Sequence, residues 1–189
     1  EHCHAAACGN IWQSNINICG TPNGYYVYTF GGTAITDCFY KSTGWTRNRQ
    51  MTLFGADTDF NGESYAADWN LPRGRGVIVA NVFNADSRWM VTATEDSSTS
   101  RMVRLSGKGQ DAFATGYHHR YAEAMPYAFI SKKNSYLIMN HLYYYVPRRK
   151  GATVTITATD PYGNTYRASS ADRVTEPFYN YAHYLGATP

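Results

Sequence analysis

Thr153-Val154-Thr155-Ile156-Thr157-Ala158-Thr159 puts Val, Ile and Ala at every second position, with threonine between them. Side chains on a strand alternate between its two faces, so this stretch reads as a half-buried β-strand with one face in the core and one in water. It runs into Asp160-Pro161-Tyr162-Gly163-Asn164, where Pro sets φ and Gly and Asn tolerate positive φ, and resumes as Thr165-Tyr166-Arg167-Ala168-Ser169. The pattern predicts a hairpin.

Further strands fall at the spacing of a sandwich. Tyr25 to Phe30 follows Asn23-Gly24 and ends at Gly31-Gly32, after which Ala34 to Lys41 pairs back. Gly76 to Phe83 (GVIVANVF) is apolar on both faces, as a central strand of a covered sheet should be. Trp89 to Glu95, Met102 to Leu105 and Leu142 to Val146 complete the set. Ala112 to Ile130 (AFATGYHHRYAEAMPYAFI) is poor in β-branched residues and predicts a short helical excursion before Pro126. The expected fold is all-β, an antiparallel β-sandwich of immunoglobulin-like or jelly-roll-like type, with that excursion near 112–130.

At 189 residues the chain suits one domain. Its formal charge of +3 is too small a bias to imply nucleic acid, and no apolar run reaches the length of a membrane-spanning helix. The short basic runs Arg73-Gly74-Arg75 and Arg148-Arg149-Lys150 sit beside Pro or Gly and read as solvated turns. Cys3, Cys8, Cys19 and Cys38 form no C-x-x-C pair; one or two disulfides and buried free thiols both remain open.

Sequence motifs for chemistry are sparse. No Gly-x-Ser-x-Gly, His-Glu-x-x-His or phosphate-cradling glycine loop occurs. The acidic loop around Asp57 and Asp59 carries Asp68 where a calcium loop needs a terminal Glu. His2 and His4 at i and i+2 point to one face of an extended chain and permit chelation. The adjacent His118 and His119 diverge on a helix or strand, and read as surface imidazoles flanking Tyr117. Trp89, at the start of a strand, is expected in the core. Trp45 and Trp69 lie beside Gly, Thr, Asn and Asp, and are candidates for exposure and for stacking on sugar rings.

Four segments in order carry a resemblance: Ala6-Ala7-Cys8-Gly9-Asn10-Ile11-Trp12, Gly20-Thr21-Pro22-Asn23-Gly24-Tyr25, the strand Val79 to Asp86, and Ala158 to Thr165. In combination they resemble the C-terminal domain of bacterial calcineurin-like metallophosphoesterases, many of them from Bacteroides-type bacteria. The resemblance implies a catalytic hydrolase domain upstream, holding two divalent metal ions on motifs of the D-x-H, G-D-x-x-D, G-N-H and G-H-x-H types. The first three do not occur here, and His2-Cys3-His4 matches only part of the fourth, with Glu1 where Gly is needed.

On this resemblance residues 1–20 are a trailing strand and junction from the catalytic domain, 21–175 the accessory sandwich, and 176–189 an aromatic-rich tail. The chain would carry no catalytic residue, metal or cofactor of its own. Its partner would be the upstream domain of the same polypeptide, in the periplasm or outside the cell, and the first residue, Glu rather than Met, fits a fragment or processed product. His2, His4, Asn10, Trp12, Tyr117, His118 and His119 are then the candidates for facing substrate or the catalytic domain. The alternatives are a carbohydrate- or surface-binding module using Trp45 and Trp69, and an independent metal-dependent hydrolase built on His2, His4, His118 and His119.

Overall fold

A computed structural model describes residues 5–9, 14–120 and 137–175. Its strands are β1 (Gly24–Gly31), β2 (Ala34–Ser42), β3 (Met51–Gly55), β4 (Ile78–Val82), β5 (Met90–Glu95), β6 (Ser98–Arg101), β7 (Val103–Gly109), β8 (Leu137–Tyr145), β9 (Val154–Thr159) and β10 (Thr165–Ser169). Two helices, α1 (Tyr65–Asp68) and α2 (Ala112–Arg120), lie between strands. One antiparallel sheet runs β10-β9-β5-β6 and a second runs β3-β4-β8-β7, while β1 and β2 form a separate two-stranded ribbon.

The hairpin expected from the threonine alternation is β9-β10. Val154, Ile156 and Ala158 are buried while the threonines between them reach solvent. Its turn closes on Asp160, whose Oδ1 accepts from the backbone N–H of Tyr162 and of Asn164, both at 2.9 Å. Gly163 supplies the left-handed φ of +87°.

The two sheets face each other across one core. Met51, Leu53, Ile78, Ala80 and Val82 from β3 and β4 meet Val91, Ala93, Val154, Ile156 and Ala158 from β5 and β9. The opposite face of β3-β4-β8-β7 is covered as well, because Phe54, Val79, Leu105, Met139 and Leu142 pack against Phe113 and Tyr117 of α2, with Ile16, Phe60 and Tyr65. Strand β4 is therefore buried on both sides, as its unbroken apolar run requires.

Two strands were not foreseen. Met51–Gly55 is apolar without alternation because both its faces are covered, and Ser98–Arg101 is an edge strand of polar residues paired with β5. The helical expectation over 112–130 is met by α2 up to Arg120; the remainder of that stretch and the 176–189 tail lie outside the described residues.

Candidate functional site: the α2 face

Helix α2 is buried from Ala112 through His118, on every side rather than along one stripe. Its small residues allow this: a Cβ on Gly116 would stand 1.8 Å from the Phe60 carbonyl oxygen, so only glycine lets that backbone approach. Asp111 caps the helix, its Oδ1 accepting from Ala114 N–H at 2.7 Å.

The same carboxylate anchors a buried polar network. Asp111 Oδ2 accepts from the Tyr65 hydroxyl at 2.6 Å and from Asn81 Nδ2 at 3.0 Å. Asn81 Nδ2 also donates to the Cys19 carbonyl at 2.8 Å, which leaves Asn81 Oδ1 as acceptor for His141 Nδ1 at 2.9 Å. His141 reaches this position through a bulge: Leu105 pairs with Leu142 and Gly107 with Met139, so Asn140 and His141 together oppose Ser106. Burial raises the pKa of Asp111 and pushes that of His141 down to about 4, so the ring is neutral at physiological pH. Gly20 touches the same network, because a Cβ there would lie 2.5 Å from Asn81 Nδ2.

A second network ties α2 to the segment before β1. The Tyr117 hydroxyl donates to Asn15 Oδ1 at 2.8 Å, and His118 Nε2 shares a hydrogen bond with Ser14 Oγ at 2.8 Å. Asn23 Nδ2 donates to the Ser14 carbonyl at 2.8 Å, and the Asn17 amide exchanges two bonds with the Ala6 backbone. His118 is 1% exposed, and burial pushes its pKa down to about 4. The expectation of surface imidazoles is therefore corrected for His118: from Ala112 to His118 α2 is enclosed between the sheet and the 14–23 segment, and only its last residues reach solvent.

His119 is half-buried, with Nδ1 3.7 Å from Glu63 Oε1, while Glu63 Oε2 accepts from Gln110 Nε2 at 2.9 Å. The structure thus brings Tyr117, His118 and His119 to one helix turn, but aims the first two at Asn15 and Ser14 and the third at Glu63. His2, His4, Asn10 and Trp12 lie outside the described residues.

The two tryptophans expected at the surface are half-buried. Trp45 stacks on Phe83 with ring centroids 5.8 Å apart and carries the Arg49 guanidinium 3.7 Å from its centroid. Trp69 donates Nε1 to the Gln110 carbonyl at 2.9 Å and lies against Gly109. Trp89 is also half-buried, packed on the inter-sheet core and stacked on Tyr166. In the acidic loop, Asp57 accepts from Gly74 N–H and Asp59 from Gly62 N–H, which makes these carboxylates turn acceptors.

Among the described residues, no group of three or more His, Cys, Asp or Glu side chains could share a metal ion. Cys8, Cys19 and Cys38 carry no disulfide. A groove of about 390 Å³ runs between Thr46–Leu53 and Arg167–Asp172; it is lined by Arg49, the residue stacked on Trp45, and by none of Tyr117, His118 and His119. Asn81, Asp111 and Tyr65 were missed in the sequence. The available signal was Asn81 itself, one amide inside a strand apolar on both faces, which must find buried partners.

A family model described as the C terminal of calcineurin-like phosphoesterase covers residues 1–166. No curated protein and no solved structure matches the chain.

Proposed function

The chain belongs to the family of C-terminal domains of calcineurin-like phosphoesterases, and on that premise we propose that it is a non-catalytic accessory domain flanking the active site of a metal-dependent phosphoesterase. Its work on this reading is substrate selection or stabilisation of the catalytic domain. The observation that carries the proposal is the extent of the family match, from residue 1 to Tyr166 in β10, which takes in the sandwich, α2 and the segment leading into them.

The local geometry supports the same reading. Residues 14–23 are tied to α2 and β4 by hydrogen bonds, which hold this segment against the sandwich. On this face Tyr117, His118, Asn23 and Asn81 each hydrogen-bond to a neighbouring side chain or to backbone. In the parent protein, two divalent ions held by the upstream domain would activate water and stabilise the oxygens of an in-line displacement at phosphorus. Export to the periplasm or the exterior, and an origin in Bacteroides-type bacteria, belong to the same proposal.

The test is to express the polypeptide with its upstream region and assay hydrolysis of a phosphodiester dye with Mn²⁺, then with chelator. Metal-dependent turnover by the long polypeptide, and none by residues 1–189 alone, is the expected result. Turnover by residues 1–189 alone that His2→Ala abolishes would place the chemistry in this chain. Glycan binding lost on Trp45→Ala would favour a sugar-binding module instead.

A further inference from the structure

The β1-β2 ribbon carries an aromatic stripe that changes from core to surface along its length. Tyr26, Tyr28 and Phe30 share one face of β1, and their partners across the ribbon are Tyr40, Cys38 and Ile35. At the base, Tyr40 is buried with Ala5 and Phe83, and Tyr26 packs on them. Higher up, Asp37 braces the ribbon by accepting from Asn164 Nδ2 at 2.7 Å and pairing with Arg47 at 3.2 Å.

Beyond a bulge the bracing ends. All of Thr29 to Thr36 is exposed, yet Phe30 and Ile35 sit there as a cross-strand pair, 63% and 42% exposed. A two-stranded ribbon is marginal by itself, and an apolar tip on one gains nothing from water.

We infer that the exposed end of this stripe, centred on Phe30 and Ile35, is the surface on which the upstream catalytic domain docks. The inference rests on the accessory-domain reading and adds the contact that reading lacks. The position of the incoming chain carries it: Ala5 lies in the cluster at the ribbon base, its N–H donating to Asn84 Oδ1 at 3.1 Å. From Tyr26 to Phe30 the ribbon rises about 13 Å, and four residues of extended chain span at most about 14 Å. A domain joined upstream of Ala5 is therefore tethered within reach of the tip, at an effective concentration that a free partner would have to match. The stretch Thr29 to Thr36 (TFGGTAIT) holds no ionisable residue, which suits a dry protein contact and offers no Lys or Arg to lipid phosphates.

Hydroxyl-radical footprinting of the unmodified full-length protein tests this without a mutation. Phe30 and Ile35 should be protected while Tyr25, 49% exposed and on the other face of β1, is labelled; labelling of Phe30 and Ile35 as readily as Tyr25 overturns the inference. In full-length Phe30→Ser/Ile35→Ser, cleavage between the domains by a limiting protease should rise about tenfold or more, with Tyr25→Ser unchanged. Protection that fades on dilution, with unaltered cleavage, would mean that a second copy covers the tip, and would equally refute the proposal. Full-length protein with metal-dependent activity but an indifferent ribbon defeats this inference alone; full-length protein without that activity defeats the accessory-domain reading first.

Discussion

Asn81→Leu should be among the most costly single substitutions in the molecule despite leaving the packed volume almost unchanged. Three hydrogen bonds end on the Asn81 amide, from its Nδ2 to the Cys19 carbonyl and the Asp111 carboxylate, and to its Oδ1 from His141. Neutral bonds contribute about 1 kcal/mol each and a bond to a charged group about 2 kcal/mol, so the gross loss is about 4 kcal/mol. Leucine at a fully buried site returns about 1–2 kcal/mol of apolar burial, for a net cost of about 2–3 kcal/mol. Urea unfolding reads this directly. With a slope of about 2.5 kcal/mol per molar the midpoint should fall by about 1 M while the slope stays fixed. Asn140→Ala, whose residue is exposed, should leave the midpoint in place. An Asn81→Leu protein as stable as the parent would mean that the Asp111 and His141 side chains find other partners at no cost, and the network would not hold α2 as argued.

Two further outcomes follow from the same face. His118 carries a folded pKa of about 4 against an unfolded value of 6.5, so its neutral form stabilises the fold above pH 6.5 and that contribution drains as pH falls towards 4. The stability difference between the parent and His118→Gln, measured by urea midpoint, should therefore shift in the variant's favour by up to about 3 kcal/mol between pH 7.5 and 4; a difference that ignores pH would contradict it. Gly116→Ala should destabilise by about 2 kcal/mol or more, because its methyl meets the Phe60 carbonyl oxygen at 1.8 Å and backbone cannot rotate away, and thermal melting detects the loss.

Periodicity revealed what repeats. The threonine alternation yielded β9, the Asp-Pro-Tyr-Gly-Asn turn its partner β10, and the two-sided apolar run of β4 its central place, since each depends on residues close in the chain. Strand β3 went unseen because burial on both faces erases alternation, and β6 because an edge strand of Ser, Thr and Arg has no apolar signal. The site was less legible for the same reason. Tyr117, His118 and His119 stand out in the sequence, but which way they point was not visible there.

From residue order alone came the β class, the principal hairpins, the helical interruption and the family resemblance, all of which rest on local spacing and short motifs. Only the tertiary structure joined Asp111 to Tyr65 and Asn81, set Ser14 against His118 across 104 positions, and turned His141 inward through a bulge. Hydrogen bonds between distant residues depend on how sheets and helix stack, and stacking is a property of the whole chain that no window of it contains.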